Sequence, residues 1–317
     1  SSDLSVAEVA IENTLGRSRG ILAIPSSEKS TRLYIPVAYR QAFLTYDTFV
    51  SIQNPNTATI AAGAVKLTLY CKNGTSPYTI SNSTAILPFN SEFITITAGE
   101  NIRCGEEQVA GSLFGHGIVD SPVPVLGDII VSRIQTGEAR WEHLGKNLST
   151  KLYVPSTLFG NFNGFTSNSS LNISNPNSQS ANVFVNVYTN NGSTYSLLER
   201  RRPQAPGPDS LNGTLTSPIQ ANGEKSFFYK RNLTYNGNGT NQGLALAESF
   251  GTNDTAWGFS IIDSDVPVAA SQNKSTTIDD FGEAALAEEE ISTTSYVPQF
   301  FFDFAPAGLK YNSRTAI

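Results

Sequence analysis

The chain has 317 residues, with 21 Lys and Arg against 27 Asp and Glu and a formal net charge of -6. Charged residues are only 15% of the chain, against about 25% in typical soluble domains, and its polarity comes instead from 36 Ser, 29 Thr and 27 Asn. Because an acidic chain without a basic cluster beyond Arg200–Arg202 offers no surface that follows phosphates, nucleic acid and anionic membranes are disfavoured as partners.

The compartment is indicated by residues that are absent or rare. The sequence contains no Met, and we expect that a leader with a secretory signal has been removed. No run of about 18 apolar residues occurs, so we expect no membrane insertion of the mature chain. Cys71 and Cys104 have strand-like flanks. In an oxidising compartment they would form a disulfide, and two buried free thiols are the alternative.

The glycan-acceptor pattern Asn-x-Ser/Thr occurs eleven times, roughly twice as often as this composition gives by chance. Such acceptors belong on exposed loops of secreted chains, which predicts N-linked glycans as partners. At any single site the alternative is an accident of the Ser- and Thr-rich composition. The predicted acceptors are Asn73, Asn82, Asn147, Asn168, Asn172, Asn191, Asn212, Asn232, Asn238, Asn253 and Asn273.

An internal repeat is the strongest pattern in the sequence. Four short motifs recur in the same order and at similar spacing. They are TRLYIP at 31–36 and TKLYVP at 150–155, SIQNPN at 51–56 and NISNPN at 172–177, VKLTLY at 65–70 and VFVNVY at 183–188, and IVDSPVPV at 118–125 and IIDSDVPV at 261–268. The third motif is followed by an Asn-Gly hairpin dipeptide in both copies, which is typical of a strand entering a tight turn.

A third copy begins near the end, because Tyr296 follows Tyr153 at the same spacing at which Ile261 follows Ile118. This spacing defines four predicted regions and two predicted linkers. The regions are an N-terminal tail over 1–30, a first repeat over 31–135, a second repeat over 150–275, and an acidic linker with the opening strand of a third repeat over 276–317. The linkers are Gly137–Lys146 and Thr276–Glu290.

Short alternating or β-branched segments separated by Asn-Gly, Pro and Ser clusters fill each repeat. This pattern is typical of a β-sandwich or barrel. We expect an all-β chain with two tandem antiparallel β-sandwich (Ig-like/jelly-roll-like) domains and extended terminal tails. Each repeat is long enough to bury its own core. The one helix-like segment is the acidic stretch Asp279–Glu290, which is more typical of a solvated face than of a metal site.

The sequence offers few candidates for chemistry. Its only histidines are His116 and His143, and no nucleophile elbow, phosphate loop, dinucleotide motif or metal-ligand spacing occurs. His116 has no counterpart in the second repeat, which favours a surface or core role over catalysis. We therefore expect no enzyme activity, no metal and no cofactor.

Two pairs of residues leave alternatives open. Asp120 and Asp263 recur in the repeat, and a turn beside proline explains them better than a calcium site. Trp141 and Trp257 could stack on sugars, but no aromatic cluster is shared by both repeats.

The terminal segments point to assembly. Leu4, Val6, Val9 and Ile11 make an alternating segment before the first repeat, and Phe300, Phe302 and Phe304 make another at the opposite end. A lone strand cannot leave such a face in water, so each tail needs a sheet to join. Insertion into a neighbouring subunit would bury about four apolar side chains at roughly 1.5–3 kcal/mol each. The alternative is that both tails fold back on their own chain.

The Tyr-x-Pro openings at Tyr34, Tyr153 and Tyr296, the Asn-Pro-Asn turns and the alternating tail over 1–11 carry a resemblance. Together they resemble the secreted, glycosylated subunits of archaeal and bacterial surface filaments that are built by donor-strand complementation, such as archaeal threads. The repeats are also similar to bacterial cell-surface β-sandwich repeats.

We expect a structural, non-enzymatic protein at the cell surface: the subunit of an N-glycosylated extracellular filament, linked head to tail to identical subunits by strand exchange. One alternative is a monomeric surface adhesin or carbohydrate-binding protein. The other is a virion or surface-layer lattice protein.

Overall fold

A computed structural model describes residues 7–12, 17–22, 26–42, 46–75, 78–96, 103–104, 111–133, 138–145, 148–162, 165–190, 195–201, 218–228, 233–234, 240–241, 256–276 and 280–288. Nearly all of this is β-strand, with one short 3-10 turn at Ser26–Glu28, which confirms the predicted all-β class. No helix in the described residues is long and apolar enough to cross a membrane.

A two-stranded sheet precedes the first repeat. Its strands are β1 (Ala7–Glu12) and β2 (Arg17–Leu22), antiparallel and in continuous register from Ala7 with Leu22 to Glu12 with Arg17. Neither strand pairs with another sheet in the described part of the chain. The N-terminal segment therefore has a strand partner of its own, contrary to the expectation that it lacks one.

The first repeat forms an eight-stranded sheet. Its strands are β3 (Ser30–Ala42), β4 (Tyr46–Gln53), β5 (Lys66–Cys71), β6 (Tyr78–Ser81), β7 (Ser91–Thr95), β8 (Arg103–Cys104), β9 (Ser112–Arg133) and β10 (Glu138–His143). The order is β6-β5-β9-β3-β4-β7, and β10 and β8 also pair with β9. Only β8 is parallel to its neighbour.

The second repeat forms another eight-stranded sheet. Its strands are β11 (Ser149–Phe162), β12 (Phe165–Asn175), β13 (Val183–Asn190), β14 (Tyr195–Arg201), β15 (Gly223–Phe228), β18 (Ala256–Thr276), β19 (Asp280–Ala284) and β20 (Leu286–Ala287). The order is β14-β13-β18-β11-β12-β15, with β19 on β18 and β20 on β11. Between β15 and β18 lies the two-stranded pair β16 (Leu233–Thr234) and β17 (Thr240–Asn241).

One long strand organises each sheet by changing partners along its length. The first part of β9 pairs with β5 up to Asp120 and with β3 up to Val125, and its second part pairs with β4 from Leu126 and with β10 from Asp128. Pro122 and Pro124 lie at the change, where a residue without an N–H removes a ladder donor. The matching strand β18 changes partners between Ser264 and Val268 in the same way.

Each sheet has its own hydrophobic core, produced by alternation along the strands. In β5, Leu67, Leu69 and Cys71 are buried while the residues between them are not. The first core is the larger of the two and includes Leu33, Ile35, Ile52, Leu67 and Ile129, whereas the second includes Leu152, Leu171, Ile173, Val185 and Ile262.

A buried asparagine ties down the Asn-Pro-Asn turn of each sheet. Asn54 and Asn175 have no exposed surface. Each Nδ2 donates to three main-chain carbonyls, and each Oδ1 accepts from the main-chain N–H two residues later. The acceptors, at 2.7–3.3 Å, are Ala58, Ile86 and Leu87 for Asn54, and Gln179, Ile219 and Gln220 for Asn175.

The predicted disulfide is confirmed. Cys71 and Cys104 are bonded, with their Cα atoms 5.3 Å apart and a sequence separation of 33. The bond holds β8 against the start of β9 and fixes the end of β5. Closing a loop of this length stabilises by about 3–4 kcal/mol in the chain-entropy account.

Three predictions about the segments between repeats are wrong. Gly137–Lys146 is not a linker, because β10 pairs with β9 from Glu138 to His143. The described residues 280–288 of the predicted linker Thr276–Glu290 and of the predicted helix Asp279–Glu290 form neither a linker nor a helix, because β19 and β20 pair with β18 and β11. The helix propensity of the Ala- and Glu-rich stretch yields to the hydrogen bonds offered by two strand edges.

Replacing Asn54 by Ala leaves buried carbonyls without their donor, which should lower the free energy of unfolding by about 1–3 kcal/mol. Urea denaturation followed by fluorescence measures this. Thr57→Ala, at an exposed position of the same turn, is the control and should change stability by no more than about 0.5 kcal/mol. Equal losses in the two variants would contradict the role of the asparagine.

Candidate assembly interface

The outer face of the second sheet is buried against the first sheet. Leu171 and Ile173 of β12 point into the core, and Asn172 and Ser174 between them are also buried, at 3% and 1% exposure. On the neighbouring strand β15, Ser226 pairs with Asn172 and is itself buried. Both faces of β12 are therefore covered, although alternation would leave one of them to solvent.

Lys72, which directly follows β5, makes the centre of this contact. Its side chain is only 7% exposed. Its Nζ donates to Ser226 Oγ at 2.8 Å, and Ser226 Oγ donates to Asn172 Oδ1 at 2.9 Å. The same Nζ lies 3.4 Å from the centre of the Phe114 ring, and a ring face attracts a cation. Because a buried ammonium group needs such partners, the contact is specific.

The main chains also meet. The N–H of Glu224 in β15 donates to Lys72 O at 2.8 Å. Gly74, with a φ of 74°, lies so close to the second sheet that a Cβ atom there would overlap Ala221 O. We call this set the inter-sheet contact: Lys72 and Gly74 on one side, and Asn172, Glu224 and Ser226 on the other.

The matching face of the first sheet is exposed. In the repeated motif, Ser51 of β4 matches Asn172 of β12. Ser51 pairs with Phe93 on the neighbouring strand β7, whereas Asn172 pairs with Ser226 on β15. Phe93 is 59% exposed, and Leu87 and Phe89 in the preceding turn are 54% and 70% exposed. These three residues are the large exposed hydrophobic residues of this turn and strand, and we call them the phenylalanine face.

Phe89 has a left-handed backbone, with a φ of 57°. This conformation is unusual for a bulky residue and marks local strain. Its N–H donates to Asn54 O at 2.9 Å, so the buried turn holds it in place. The matching residue of the second sheet, Asn222, has a φ of 51°, and asparagine accepts that conformation more readily. The fold therefore retains a strained phenylalanine pointing to solvent.

The predicted terminal residues are only partly described. Val9 and Ile11 lie in β1, opposite Gly20 and Ser18 of β2. Leu4 and Val6, and the alternative tail Phe300, Phe302 and Phe304, lie outside the described residues.

The glycan acceptors divide into four groups. Asn73 is exposed, and its Oδ1 accepts from the Thr75 N–H and hydroxyl, so it remains an acceptor on a turn. Asn82 and Asn172 are wrong as exposed acceptors, because both are buried and hydrogen-bonded. Asn273 is half-buried, with its Oδ1 enclosed. The side chains of Asn147, Asn168, Asn191, Asn212, Asn232, Asn238 and Asn253 are outside the description.

His116 is a core residue. It is 1% exposed, and its ring stacks on Tyr70 with the ring centres 5.1 Å apart. Burial lowers the pKa of His116 to about 3. Within the described residues neither ring nitrogen has a hydrogen-bond partner, and a neutral, fully enclosed imidazole does not suit proton transfer to a substrate.

The other chemical candidates also have structural surroundings. Asp120 accepts from Arg32 Nε at 2.7 Å, and Asp263 accepts from Asn186 Nδ2. The turn before each proline is closed instead by a serine: Ser121 accepts from the Val123 N–H, and Ser264 from the Val266 N–H. No group of three or more metal-ligating side chains occurs among the described residues. The side chains of His143, Trp141 and Trp257 are not described.

Comparison with protein-family models, with curated proteins and with solved structures finds no match for the chain. The function of this surface is therefore inferred from its own geometry. The inter-sheet contact and the phenylalanine face were not predicted from sequence. A comparison of the two repeats position by position would have shown one signal, a phenylalanine at 93 where the second repeat has serine at 226.

Gly74→Ala tests the close approach of the two sheets. A Cβ atom at Gly74 meets Ala221 O, whereas Gly63, with a nearly equal φ of 77°, has open space around it. Both substitutions strain the backbone, and Gly74→Ala should cost about 1–3 kcal/mol more because of overlap. Urea unfolding measures both variants. Equal losses would show that the sheets do not touch at Gly74.

His116→Phe tests the neutral buried imidazole. The unfolded chain binds a proton near pH 6.5, but the folded chain does so only near pH 3, so stability is lost as pH falls between these values. The loss approaches about 1.4 kcal/mol per pH unit. Between about pH 6 and pH 4, the native chain should lose about 2–3 kcal/mol more than His116→Phe. Parallel pH profiles of unfolding free energy would argue against burial of the imidazole.

Proposed function

We propose that the chain is a structural subunit of an extracellular, N-glycosylated filament, assembled head to tail by β-strand complementation between identical subunits. The supporting observation is the N-terminal strand β1, whose only pairing in the described part of the chain is with β2, outside both eight-stranded sheets. A strand placed in this way is available to another subunit.

The energetics favour exchange. An isolated two-stranded sheet is marginally stable in water, so little is lost when β1 leaves β2. Val9 and Ile11 alternate with Glu8, Ala10 and Glu12, which gives β1 one apolar side. Addition of such a strand to a sheet supplies main-chain hydrogen bonds and pockets for alternate side chains.

The receiving sheets offer edges. Strands β6 and β7 end the order of the first sheet, and β14 and β15 end that of the second, so each pairs with one strand among the described residues. We propose that each eight-stranded sheet closes into a β-sandwich, because β9 and β18 change partners midway and carry the sheet from one layer to the other. Strand addition would then extend a layer of the sandwich.

The surroundings of the filament are inferred from chemistry. A disulfide persists in oxidising compartments, and the Cys71–Cys104 bond supports an extracellular location. Asn73 is an exposed acceptor beside a hairpin turn, which suits a glycan. A low content of charged residues, 15%, together with glycans, suits a fibre that must resist proteases.

A pair of tail variants tests strand exchange. Val9→Ser with Ile11→Ser removes the apolar side of β1, and Glu8→Gln with Glu12→Gln alters the other side as the matched control. Two buried side chains contribute about 3–6 kcal/mol, so subunit association should weaken by at least about a hundredfold. Negative-stain microscopy and sedimentation velocity should show fibres for the native chain and the control, and monomers for the serine variant.

Fibres from both variants would show that β1 is not the link. If the native chain itself stays monomeric and binds a glycan array, the chain is a monomeric carbohydrate-binding adhesin. Closed shells or flat sheets in the micrographs would identify a lattice protein instead.

A further inference from the structure

We propose that the phenylalanine face of one copy is covered by the end of β13 in the second sheet of the next copy, so that the inter-sheet contact is repeated between subunits. This inference rests on the proposed function only in assuming that copies associate. It assigns a second contact surface, separate from β1, and it commits to a second copy of this chain as the occupant.

The first step is that the same face is already a contact surface in the second sheet. Asn172 and Ser226 are buried under Lys72 of the first sheet. Their matches in the first sheet, Ser51 and Phe93, have no such cover, and Phe93 is 59% exposed. Because the two sheets have the same strand order, the first sheet presents the surface that in the second sheet receives a sheet end, and no hydrogen bond or ring contact to Phe93 side-chain atoms occurs among the described residues.

The second step is that the second sheet has an end, at β13, that matches the end of β5 in the first sheet. Cys71 pairs with Gly115 at the end of β5, and Thr189 pairs with Gly258 at the end of β13. Asn190 therefore takes the place of Lys72. Within the chain, no sheet follows the second one to receive this end among the described residues.

The third step is chemical complementarity. Within the chain, the ammonium group of Lys72 donates to Ser226, and the main-chain oxygen of Lys72 accepts from the N–H of Glu224. Between copies, Asn190 replaces Lys72, while Phe93 and Ser91 replace Ser226 and Glu224. None of these three replacements is charged, so these positions bring no unpaired charge into the contact. In the first sheet Tyr39 pairs with Phe114 across β3 and β9. The matching pair in the second sheet is Leu158 with Trp257 across β11 and β18.

The geometry of such a contact leads to a fibre. A sheet end and a sheet face are different surfaces, so the contact is heterologous, and a heterologous contact that does not close generates an open filament.

The first test exchanges residues between the repeats. Phe89→Asn with Phe93→Ser installs the residues that the second sheet carries at the matching positions, Asn222 and Ser226, so folding should be retained. Leu67 and the rest of the core are untouched, so the free energy of unfolding in urea should be no lower than that of the native chain. Sedimentation velocity should show association weakened by roughly a hundredfold, and association within about threefold of native would overturn the inference.

The second test is cross-linking between two single-cysteine additions to the full chain. Asn190→Cys in one preparation is mixed with Phe93→Cys in another and treated with a short bis-maleimide. A dimer should form in this mixture but not when Thr79→Cys, exposed on β6, replaces Phe93→Cys. Equal linking of both partners, or of neither, would overturn the inference.

The outcomes separate this inference from the proposed function. If native fibres form, and the exchanged variant forms them equally well, the filament stands and this contact falls. If the Val9 and Ile11 variant still forms fibres and Asn190→Cys still links to Phe93→Cys, this contact stands and strand exchange through β1 falls. A native chain that is monomeric and gives no specific cross-link excludes both.

Discussion

Lys72 is a cationic side chain held almost entirely away from water between two sheets, and the relation of the two repeats depends on it. Removal of an ammonium group from water is costly unless polar partners surround it. Ser226 Oγ at 2.8 Å and the Phe114 ring face at 3.4 Å supply part of that surrounding, and the disulfide at Cys71 fixes the adjacent strand. A charge buried with defined partners sets the register between sheets more sharply than apolar packing does.

Under the proposed function, the contact relates the internal repeat to assembly. In the first sheet, a glycine turn and a lysine form the end that contacts the second sheet, while Phe89 and Phe93 occupy a face that is exposed in the single chain. A chain that presents one exposed sheet face and one exposed sheet end can bind further copies head to tail, which gives an open filament. In this account, strand exchange through β1 and docking of the phenylalanine face are two links between the same neighbours, and two linked contacts bind more tightly than either alone.

The features that sequence predicted are those encoded locally. Alternation predicted β5, and the Asn-Pro-Asn motifs predicted turns, because both signals lie within a few residues. The features it missed depend on distant partners. The burial of Lys72 depends on Ser226 far along the chain, and the Asp279–Glu290 helix failed because β18 and β11 offered strand edges. Asn82 and Asn172 fit the glycan pattern, but the pattern carries no information on burial, and both are buried.

The most direct measurement is hydroxyl-radical footprinting of the assembled protein beside its dissociated subunit, read out by peptide mass spectrometry. Phe93 and Phe89 are exposed in the single chain, so assembly should protect both from oxidation, while the tyrosine at 78 on the opposite edge strand β6 should keep its rate. Equal oxidation of the two phenylalanines in both states would contradict the account, since the surface it assigns to the neighbouring subunit would still be in water.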